Sequence, residues 1–351
     1  MKFTKLATGL AAIVTLGLSA SGQVSEEPVP VLATGEVDTP AIIQAAATPA
    51  TPIIDPLSRA AAIYATYHGV VTDVKTTGFN SAGDIDSALT NLGGHNSEQL
   101  AQGWLSYSAL VASQDPEFRA AVRDIEGYYG RETLMRGLNN DVRYARSLNG
   151  GNSAVGASLS AINADSRRLI GAAAYVKEQA YTLQGAGWAK GRVGNSGAKA
   201  DGLMASSQTG IPARSALVTA LSSPEINSVL AQAGSTGSPS VWENVTSAAN
   251  TITPPPSVAA LTSKSRIKRG REPIADRIAT LAAYRIIGSD QTSIGGMRSV
   301  MRDRNTSRCI YTAQLNLQQC VAAAHKHFEV PFCIGEHALA DVGKCIGEVS
   351  Q

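Results

Sequence analysis

The chain is poor in aromatic residues, and its cysteines are confined to one end. Phe, Trp and Tyr together make up 5% of the 351 residues, whereas alanine, glycine and serine are abundant. This composition favours close-packed helices with small side chains over an aromatic-rich sandwich or barrel, and it argues against a carbohydrate-binding surface. The first cysteine is Cys309. No cysteine therefore lies directly after the N-terminal apolar segment, where a lipid-anchored lipoprotein would need one.

The chain also lacks an excess of charge of either sign. Removing Lys2 and Lys5, which lie in the N-terminal segment described next, from the 30 basic residues leaves 28, equal to the 28 acidic residues. A nucleic-acid-binding protein normally shows a basic excess or a basic stripe. We therefore expect no nucleic-acid partner.

The first two dozen residues have the pattern of a secretory signal peptide. Two lysines precede an apolar segment from Leu6 to Leu18, and the small residues Ala20 and Gly22 predict cleavage after Gly22. The apolar segment is shorter than the roughly 20 residues that a membrane-spanning helix needs. We therefore expect residues 1–22 to be removed and the mature chain to be exported, to the periplasm or the extracellular space, without a transmembrane segment.

Stretches rich in proline and glycine divide the rest of the chain. Residues 23–56 contain six prolines and no basic residue, as is typical of an extended Pro/Ala-rich linker. Residues 57–232 carry apolar side chains at helical spacing and are predicted to form a helical domain. A second linker, rich in Gly, Ser and Pro, is predicted at 233–257, and residues 258–351 form a C-terminal helical region.

Helix-start signals predict an all-α fold. Asn96 and Asp115 are capping residues placed directly before helical patterns, and Asp115 is followed by Pro116, which favours the first turn. A further helix is expected over 131–148, and a long one over 153–184. Sustained alternation typical of strands is absent from this region. We predict a helical bundle or an irregular helical array, with a C-terminal disulfide-stapled antiparallel helical hairpin.

The hairpin prediction depends on the spacing of the four cysteines. An even number of cysteines in an exported chain implies two disulfides. If 309–320 is helical, Cys309 and Cys320 lie roughly 16 Å apart. The Cα atoms of a disulfide lie roughly 4.4–6.8 Å apart, so these two cannot pair with each other. The same argument excludes a bond between Cys333 and Cys345.

Of the two pairings left, Cys309–Cys345 with Cys320–Cys333 suits one hairpin over 309–345, because both pairs are centred near residue 327. The crossed pairing does not share a centre. On the second helix, Cys333 and Cys345 are twelve residues apart, which places them about 120° apart around the helix axis. A distortion of that helix at Gly335 and Gly343 would absorb this mismatch.

This topology is similar to the two-disulfide helical hairpins of the coiled-coil-helix type. The likeness covers only these residues, the spacings differ, and it implies no function. A zinc site is the alternative role for four cysteines, but the short C-x₂₋₄-C spacing of structural zinc sites is missing.

Three histidines lie near the hairpin turn. His325 and His327 are weak candidates for metal ligands, and they would need to converge with His337 and a carboxylate such as Glu329 or Glu336. Their spacing along the predicted hairpin favours solvated histidines. We therefore predict neither a metal site nor a cofactor.

Signatures of catalysis are few. The chain has no G-x-S-x-G motif, and its two S-x-x-K matches, at Ser196 and Ser265, lack the accompanying motifs of penicillin-binding enzymes. His68 lies on an apolar helix face with Tyr64, as expected of a core histidine, and His95 follows two glycines in a predicted loop.

Two clusters are candidate binding surfaces for a partner. The first is a basic segment that would dock onto an anionic surface polymer or an acidic protein, unless it is a processing site or simply solvated. It consists of Lys264, Arg266, Lys268, Arg269 and Arg271.

The second cluster is rich in tyrosine and arginine, the residue types that anchor interfaces. If exposed it would bind a partner, and if buried against acids such as Glu126 it would be an internal ion-pair network. Its members are Tyr128, Tyr129, Arg131, Arg136, Arg143, Tyr144 and Arg146.

These observations predict a soluble, exported helical protein without catalytic activity, which binds or scaffolds another envelope or extracellular protein or an anionic surface polymer. The alternative is an envelope-acting hydrolase whose carboxylates and histidines form a site between helices. A pocket that holds His68 or His95 together with nearby acids would favour the alternative.

Overall fold

A computed structural model describes residues 55–236, 242, 252, 266–288 and 291–349. These residues are mainly α-helical, and among them there is no strand, only an isolated bridge. The all-α prediction is therefore confirmed. The predicted signal peptide 1–22 and most of the predicted linker 23–56 lie outside the described residues.

The helices are numbered here in chain order. They are α1 (Pro56–Thr77), α2 (Ala82–Gly93), α3 (Ser97–Ala112), α4 (Pro116–Tyr129), α5 (Arg131–Asn140), α6 (Tyr144–Ser147), α7 (Gly151–Leu183), a 3₁₀ helix (Trp188–Lys190), α8 (Ser196–Thr209), α9 (Ser215–Ser222), α10 (Ile226–Thr236), α11 (Glu272–Ile287), α12 (Gln291–Val300), α13 (Arg304–Ala323), α14 (Glu329–Cys333), a π-helix (Ile334–Asp341) and α15 (Val342–Gly347). Measured by length and hydropathy, none of these described helices could cross a membrane.

The capping residues begin the helices where the sequence predicts. The Asn96 side chain accepts hydrogen bonds from the backbone N–H groups of Glu98 and Gln99, both at 3.0 Å. The Asp115 carboxylate accepts one from Phe118 N, also at 3.0 Å. Each cap satisfies donors that the first helical turn leaves without an intrahelical partner.

The helix expected over 131–148 is interrupted. It ends at Asn140, and a short second helix follows at 144–147. The cause is local, because the Asp141 carboxylate accepts a hydrogen bond from Arg143 N at 2.9 Å and holds the backbone in a turn. This turn lies next to the tyrosine- and arginine-rich cluster and changes the direction of the chain there.

The core is built around α3, which is buried over most of its length and packs against α1, α7, α11 and α13. Gly103 lets α3 approach α1 closely, since a Cβ there would lie 2.6 Å from the carbonyl oxygen of Ala60. Helices from both sides of the predicted linker 233–257 contribute to this one core. Within that stretch, Trp242 is buried.

The C-terminal hairpin has the predicted nested disulfides. Cys309 on α13 bonds Cys345 on α15, with the Cα atoms 5.7 Å apart, and Cys320 on α13 bonds Cys333 on α14, with the Cα atoms 5.6 Å apart. All four cysteines are paired, as the hairpin prediction required.

The predicted mismatch on the second helix is resolved by the π-helix at 334–341. Its hydrogen bonds span five residues instead of four, so the rotation per residue is smaller than in an α-helix. Over the eight residues of the π-helix this smaller rotation acts against the mismatch of about 120°, and Cys333 and Cys345 both bond cysteines of α13.

Gly335 and Gly343, the two glycines expected to distort this helix, also lie close to α7. A Cβ on Gly335 would lie 3.0 Å from the carbonyl oxygen of Ala173, and one on Gly343 would lie 3.2 Å from that of Ser166. Both glycines therefore allow the second half of the hairpin to pack closely on α7. The Ser166 hydroxyl adds a hydrogen bond to Gly343 O at 2.7 Å.

Candidate functional site

A histidine and a carboxylate meet in the protein interior. His68 on α1 places Nε2 4.0 Å from Oδ2 of Asp165 on α7, and the two side chains are 0% and 1% exposed. On the other side of the ring, His68 Nδ1 lies 3.0 Å from Nη1 of Arg168. These are the residue types that the hydrolase alternative requires between helices.

Both oxygens of the Asp165 carboxylate are engaged. Oδ2 accepts a hydrogen bond from the Tyr64 hydroxyl at 3.0 Å, and Oδ1 accepts one from Trp242 Nε1 at 2.7 Å. Burial raises the pKa of Asp165 to about 7, against the lowering effect of these two hydrogen bonds and of Arg168. Burial, together with the charge of Arg168, holds the pKa of His68 well below its usual value. The histidine is therefore neutral at pH 7.

Trp242 covers this buried cluster. Its indole stacks on the His68 ring with the centroids 4.8 Å apart and an interplanar angle of 12°. The Thr72 hydroxyl donates to Trp242 O at 2.7 Å and also accepts a hydrogen bond from Arg168. A substrate would have to displace the indole to reach His68 or Asp165. The cluster thus links α1 to α7.

His95, the other histidine singled out in the sequence, is also fully buried. Its ring meets the edge of Tyr67 with the centroids 5.4 Å apart, and Tyr67 also contacts His68. Burial lowers the pKa of His95 to about 4. The prediction of a loop histidine holds for its backbone but not for its side chain, which lies in the core.

The backbone around the hairpin histidines pairs with the segment that precedes α8. Val193 N donates to His325 O at 3.0 Å, and His327 N donates to Gly191 O at 3.2 Å. The Glu329 carboxylate accepts from His325 N at 2.6 Å, so it serves the backbone at the turn. His337 pairs with Asp341. Within the described ranges, no three side chains of His, Cys, Asp or Glu are grouped so that they could hold a metal ion.

The tyrosine- and arginine-rich cluster divides into an exposed and a packed part. Tyr128 and Tyr129, at the end of α4, are 82% and 62% exposed, and Arg136 and Arg143 are exposed as well. Tyr144 is half-buried against Gly137.

Two other members of the cluster, Arg131 and Arg146, form the internal network that was the other interpretation. Arg131 donates to the carbonyl oxygens of Ile287 and Gly288, at 2.5 and 2.6 Å, and so caps the C-terminal end of α11. Arg146 pairs with Asp276 on the same helix.

The basic segment is held against the body of the protein and carries its charges outward. Lys268 N donates to Val349 O at 3.0 Å, and Ile267 packs on the core. The side chains of Arg266, Lys268 and Arg269 are exposed. Lys264 lies outside the described residues.

This basic segment ends at a cavity of about 390 Å³ that the sequence did not predict. The cavity lies between the first turn of α11, the end of α12 and the first turn of α13. Four arginines and one acidic residue contribute to its wall. The lining residues are Gly270, Arg271, Pro273, Ile274, Arg277, Ser299, Arg302, Asp303, Arg304 and Asn305.

Two helix N-termini open into this arginine-lined cavity. Arg271 is the N-cap residue of α11 and makes no side-chain capping bond there. Asp303 is the N-cap residue of α13, and its Oδ1 accepts a hydrogen bond from Asn305 N at 3.2 Å. A helix N-terminus carries a partial positive charge, and so both helices add to the field of the arginines.

Arg277 fixes the shape of the cavity. Its Nη1 donates to Val300 O at 3.0 Å and to Arg302 O at 2.5 Å, which ties the connection between α12 and α13 to α11. Of the four lining arginines, only Arg271 belongs to the basic segment singled out in the sequence. The available signal for Arg302 and Arg304 was their position on either side of a capping aspartate.

No protein-family model matches this chain, and comparison with curated proteins and with solved structures likewise found no match.

Proposed function

We propose that the chain is an exported protein without catalytic activity that binds an anionic partner, an envelope or extracellular protein or a surface polymer. The binding surface is the basic segment together with the arginine-lined cavity. The alternative, an envelope-acting hydrolase, would use His68 and Asp165.

The observation that carries this proposal is the burial of the histidine–carboxylate cluster. A general base must come within hydrogen-bond reach of the proton it removes from a substrate. His68 and Asp165 are enclosed by Trp242, Tyr64 and Arg168. Both Asp165 oxygens and His68 Nδ1 are hydrogen-bonded within the cluster, whereas the buried His68 Nε2 has no hydrogen-bond partner in the described structure. The arrangement of the cluster therefore supports a role in stabilising the fold and not in catalysis.

Export is supported by the two disulfides and by the signal-peptide pattern at 1–22. Disulfides persist in oxidising compartments and are rare in a reducing cytosol. N-terminal sequencing of the protein recovered from its native compartment tests this part. We expect a chain that begins at Gln23 and has no free thiols. Recovery from the cytosol with an intact Met1 and four free thiols would contradict it.

The absence of catalysis is tested on the purified mature chain with peptidoglycan, peptide and ester substrates. We expect no turnover above background. Turnover that is lost in the Asp165→Asn variant, while its circular dichroism spectrum is retained, would favour the hydrolase alternative.

Binding through the basic surface is tested by retention on an immobilised polyanion over a range of salt concentrations. The variant with Arg266, Lys268 and Arg269 replaced by alanine should elute at lower salt, because each phosphate or carboxylate contact releases counterions. A variant with Arg167, Lys190 and Arg192 replaced by alanine is the matched control, since it removes the same charge from exposed residues outside the basic segment. Elution of the two variants at the same salt concentration would contradict the proposal.

A further inference from the structure

We infer that the arginine-lined cavity binds a phosphorylated polyol or sugar, as the unit by which this protein recognises its anionic partner. This inference rests on the proposed binding function and names the chemistry of its ligand: a phosphate group with a neighbouring hydroxyl.

The phosphate part follows from the charge of the cavity wall. Four arginines, Arg271, Arg277, Arg302 and Arg304, line the cavity, and Asp303 is the acidic residue among the lining residues. Guanidinium presents paired N–H donors that match the oxygens of a phosphate. A second acid is nearby, because Arg271 Nη2 lies 3.9 Å from Glu348 Oε2, but that glutamate is half exposed and does not line the cavity.

The hydroxyl part follows from two buried polar atoms of the lining. Nε of Arg271 and Oδ2 of Asp303 are buried and have no hydrogen-bond partner within the described structure. Asp303 as a whole is 8% exposed. Buried polar atoms are normally paired, so each such atom requires an explanation. A phosphate oxygen would accept from Arg271 Nε, and a hydroxyl on the same ligand would donate to Asp303 Oδ2.

The size of the cavity sets the extent of the ligand. A volume of about 390 Å³ lies at the small end of the range of ligand pockets, roughly 300–1,000 Å³. One phosphate with a short polyol or a single sugar fits this space, whereas several consecutive units of a polymer do not. A polymer would therefore be bound through one unit or through its end.

The inference is tested by calorimetric titration of the full mature chain at low salt with glycerol 1-phosphate, inorganic phosphate and glycerol. We expect glycerol 1-phosphate to bind most tightly, inorganic phosphate at least about tenfold more weakly, and glycerol not at all. A soluble poly(glycerol phosphate) distinguishes a polymer source from a free metabolite, because several ends or units on one chain would raise its apparent affinity above that of the monomer.

Two arginine variants assign the binding to this cavity. Arg302 and Arg304 are exposed, so Arg302→Ala and Arg304→Ala should fold normally, and each should weaken glycerol 1-phosphate binding about tenfold or more. Arg308→Ala is the matched control, since Arg308 is an exposed arginine of α13 that does not line the cavity. It should leave the affinity unchanged.

Asp303→Asn tests the hydroxyl part. Asparagine keeps the capping oxygen of α13 but removes the negative charge. It should therefore strengthen the binding of inorganic phosphate and reduce the preference for glycerol 1-phosphate over inorganic phosphate.

Failure to bind any phosphate would overturn the inference. If the chain is still retained on the polyanion, the proposed function survives that failure. Equal affinity for glycerol 1-phosphate and inorganic phosphate, unchanged by Asp303→Asn, would overturn the assignment of a hydroxylated ligand.

Discussion

The nested disulfides of the hairpin predict unequal losses of stability when they are removed one at a time. The perturbation is replacement of both cysteines of one pair by alanine, either the outer pair Cys309 and Cys345 or the inner pair Cys320 and Cys333. A disulfide stabilises mainly by restricting the unfolded chain, and the restriction grows with the length of the loop that it closes.

The two sequence separations fix the magnitudes. The outer pair is 36 residues apart and the inner pair 13, which in the chain-entropy account correspond to about 3.8 and about 2.9 kcal/mol for each bond alone. The bonds share part of one loop. With the inner bond present, the outer bond closes a path of about 24 residues and contributes about 3.5 kcal/mol. With the outer bond present, the inner bond contributes about 2.5 kcal/mol.

The assay is denaturant unfolding followed by circular dichroism, with and without a reducing agent. Without the reductant, the outer-pair variant should lose about 1 kcal/mol more of the free energy of unfolding than the inner-pair variant. In reductant, the wild type should become as unstable as a variant that lacks all four cysteines. The reasoning is refuted if removal of the inner pair costs more than removal of the outer pair, or if reduction leaves the wild type unchanged.

Three further predictions concern the core. The pKa of Asp165 is raised to about 7, so between about pH 4 and 7 the folded state keeps a proton that the unfolded state has released. The contribution of this group to stability is therefore lost as the pH rises from about 4 to 7. In the Asp165→Asn variant, the free energy of unfolding should no longer show this decrease, which is up to about 4 kcal/mol in the wild type over the same pH range. His95 acts in the opposite direction. Its pKa of about 4 means that stability is lost as the pH falls from about 6.5 to 4, and His95→Asn should flatten that limb; an unchanged acid limb would contradict the assignment. Gly103→Ala should cost about 1–3 kcal/mol, because its Cβ would meet Ala60 O, whereas the control Gly171→Ala, with no atom within 4 Å of its Cβ, should gain roughly 0.5–1 kcal/mol.

The features that could be predicted from sequence are those set by neighbouring residues or by fixed geometry. The caps at Asn96 and Asp115 involve residues two or three positions apart, and the composition alone favoured helices. The disulfide pairing involved distant residues, but the rise and rotation of a helix left one pairing that suits a single hairpin. The mismatch on the second helix was also foreseen. Its resolution by a π-helix was not, because the pattern of apolar residues does not encode that change of hydrogen bonding.

The features that could not be predicted depend on contacts between distant segments. Tyr64 and Asp165 are 101 residues apart, and Trp242 and Asp165 are 77 apart. Nothing in the local sequence marks Asp165 as buried, since it lies in a long helix whose polar residues are expected to face solvent. Trp242 lies in a stretch with the composition of a linker, and an average over that stretch conceals one large aromatic residue. Tryptophan side chains are highly buried on average in folded proteins, and that tendency was the signal available for the burial of Trp242.

The buried cluster and the arginine-lined cavity differ in how their charges are compensated, and this difference decides where a ligand would bind. In the cluster, the Asp165 carboxylate receives two hydrogen bonds, and Arg168 is directed at His68 and Thr72, so the charges face partners within the chain. In the cavity, four arginines and two helix N-termini line the wall together with one carboxylate, and Arg271 Nε has no hydrogen-bond partner in the described structure. Uncompensated positive charge in a concave, accessible site favours an anion from outside. Residue types alone would have directed attention to His68, whereas the balance of charge and exposure directs it to Arg302 and Arg304.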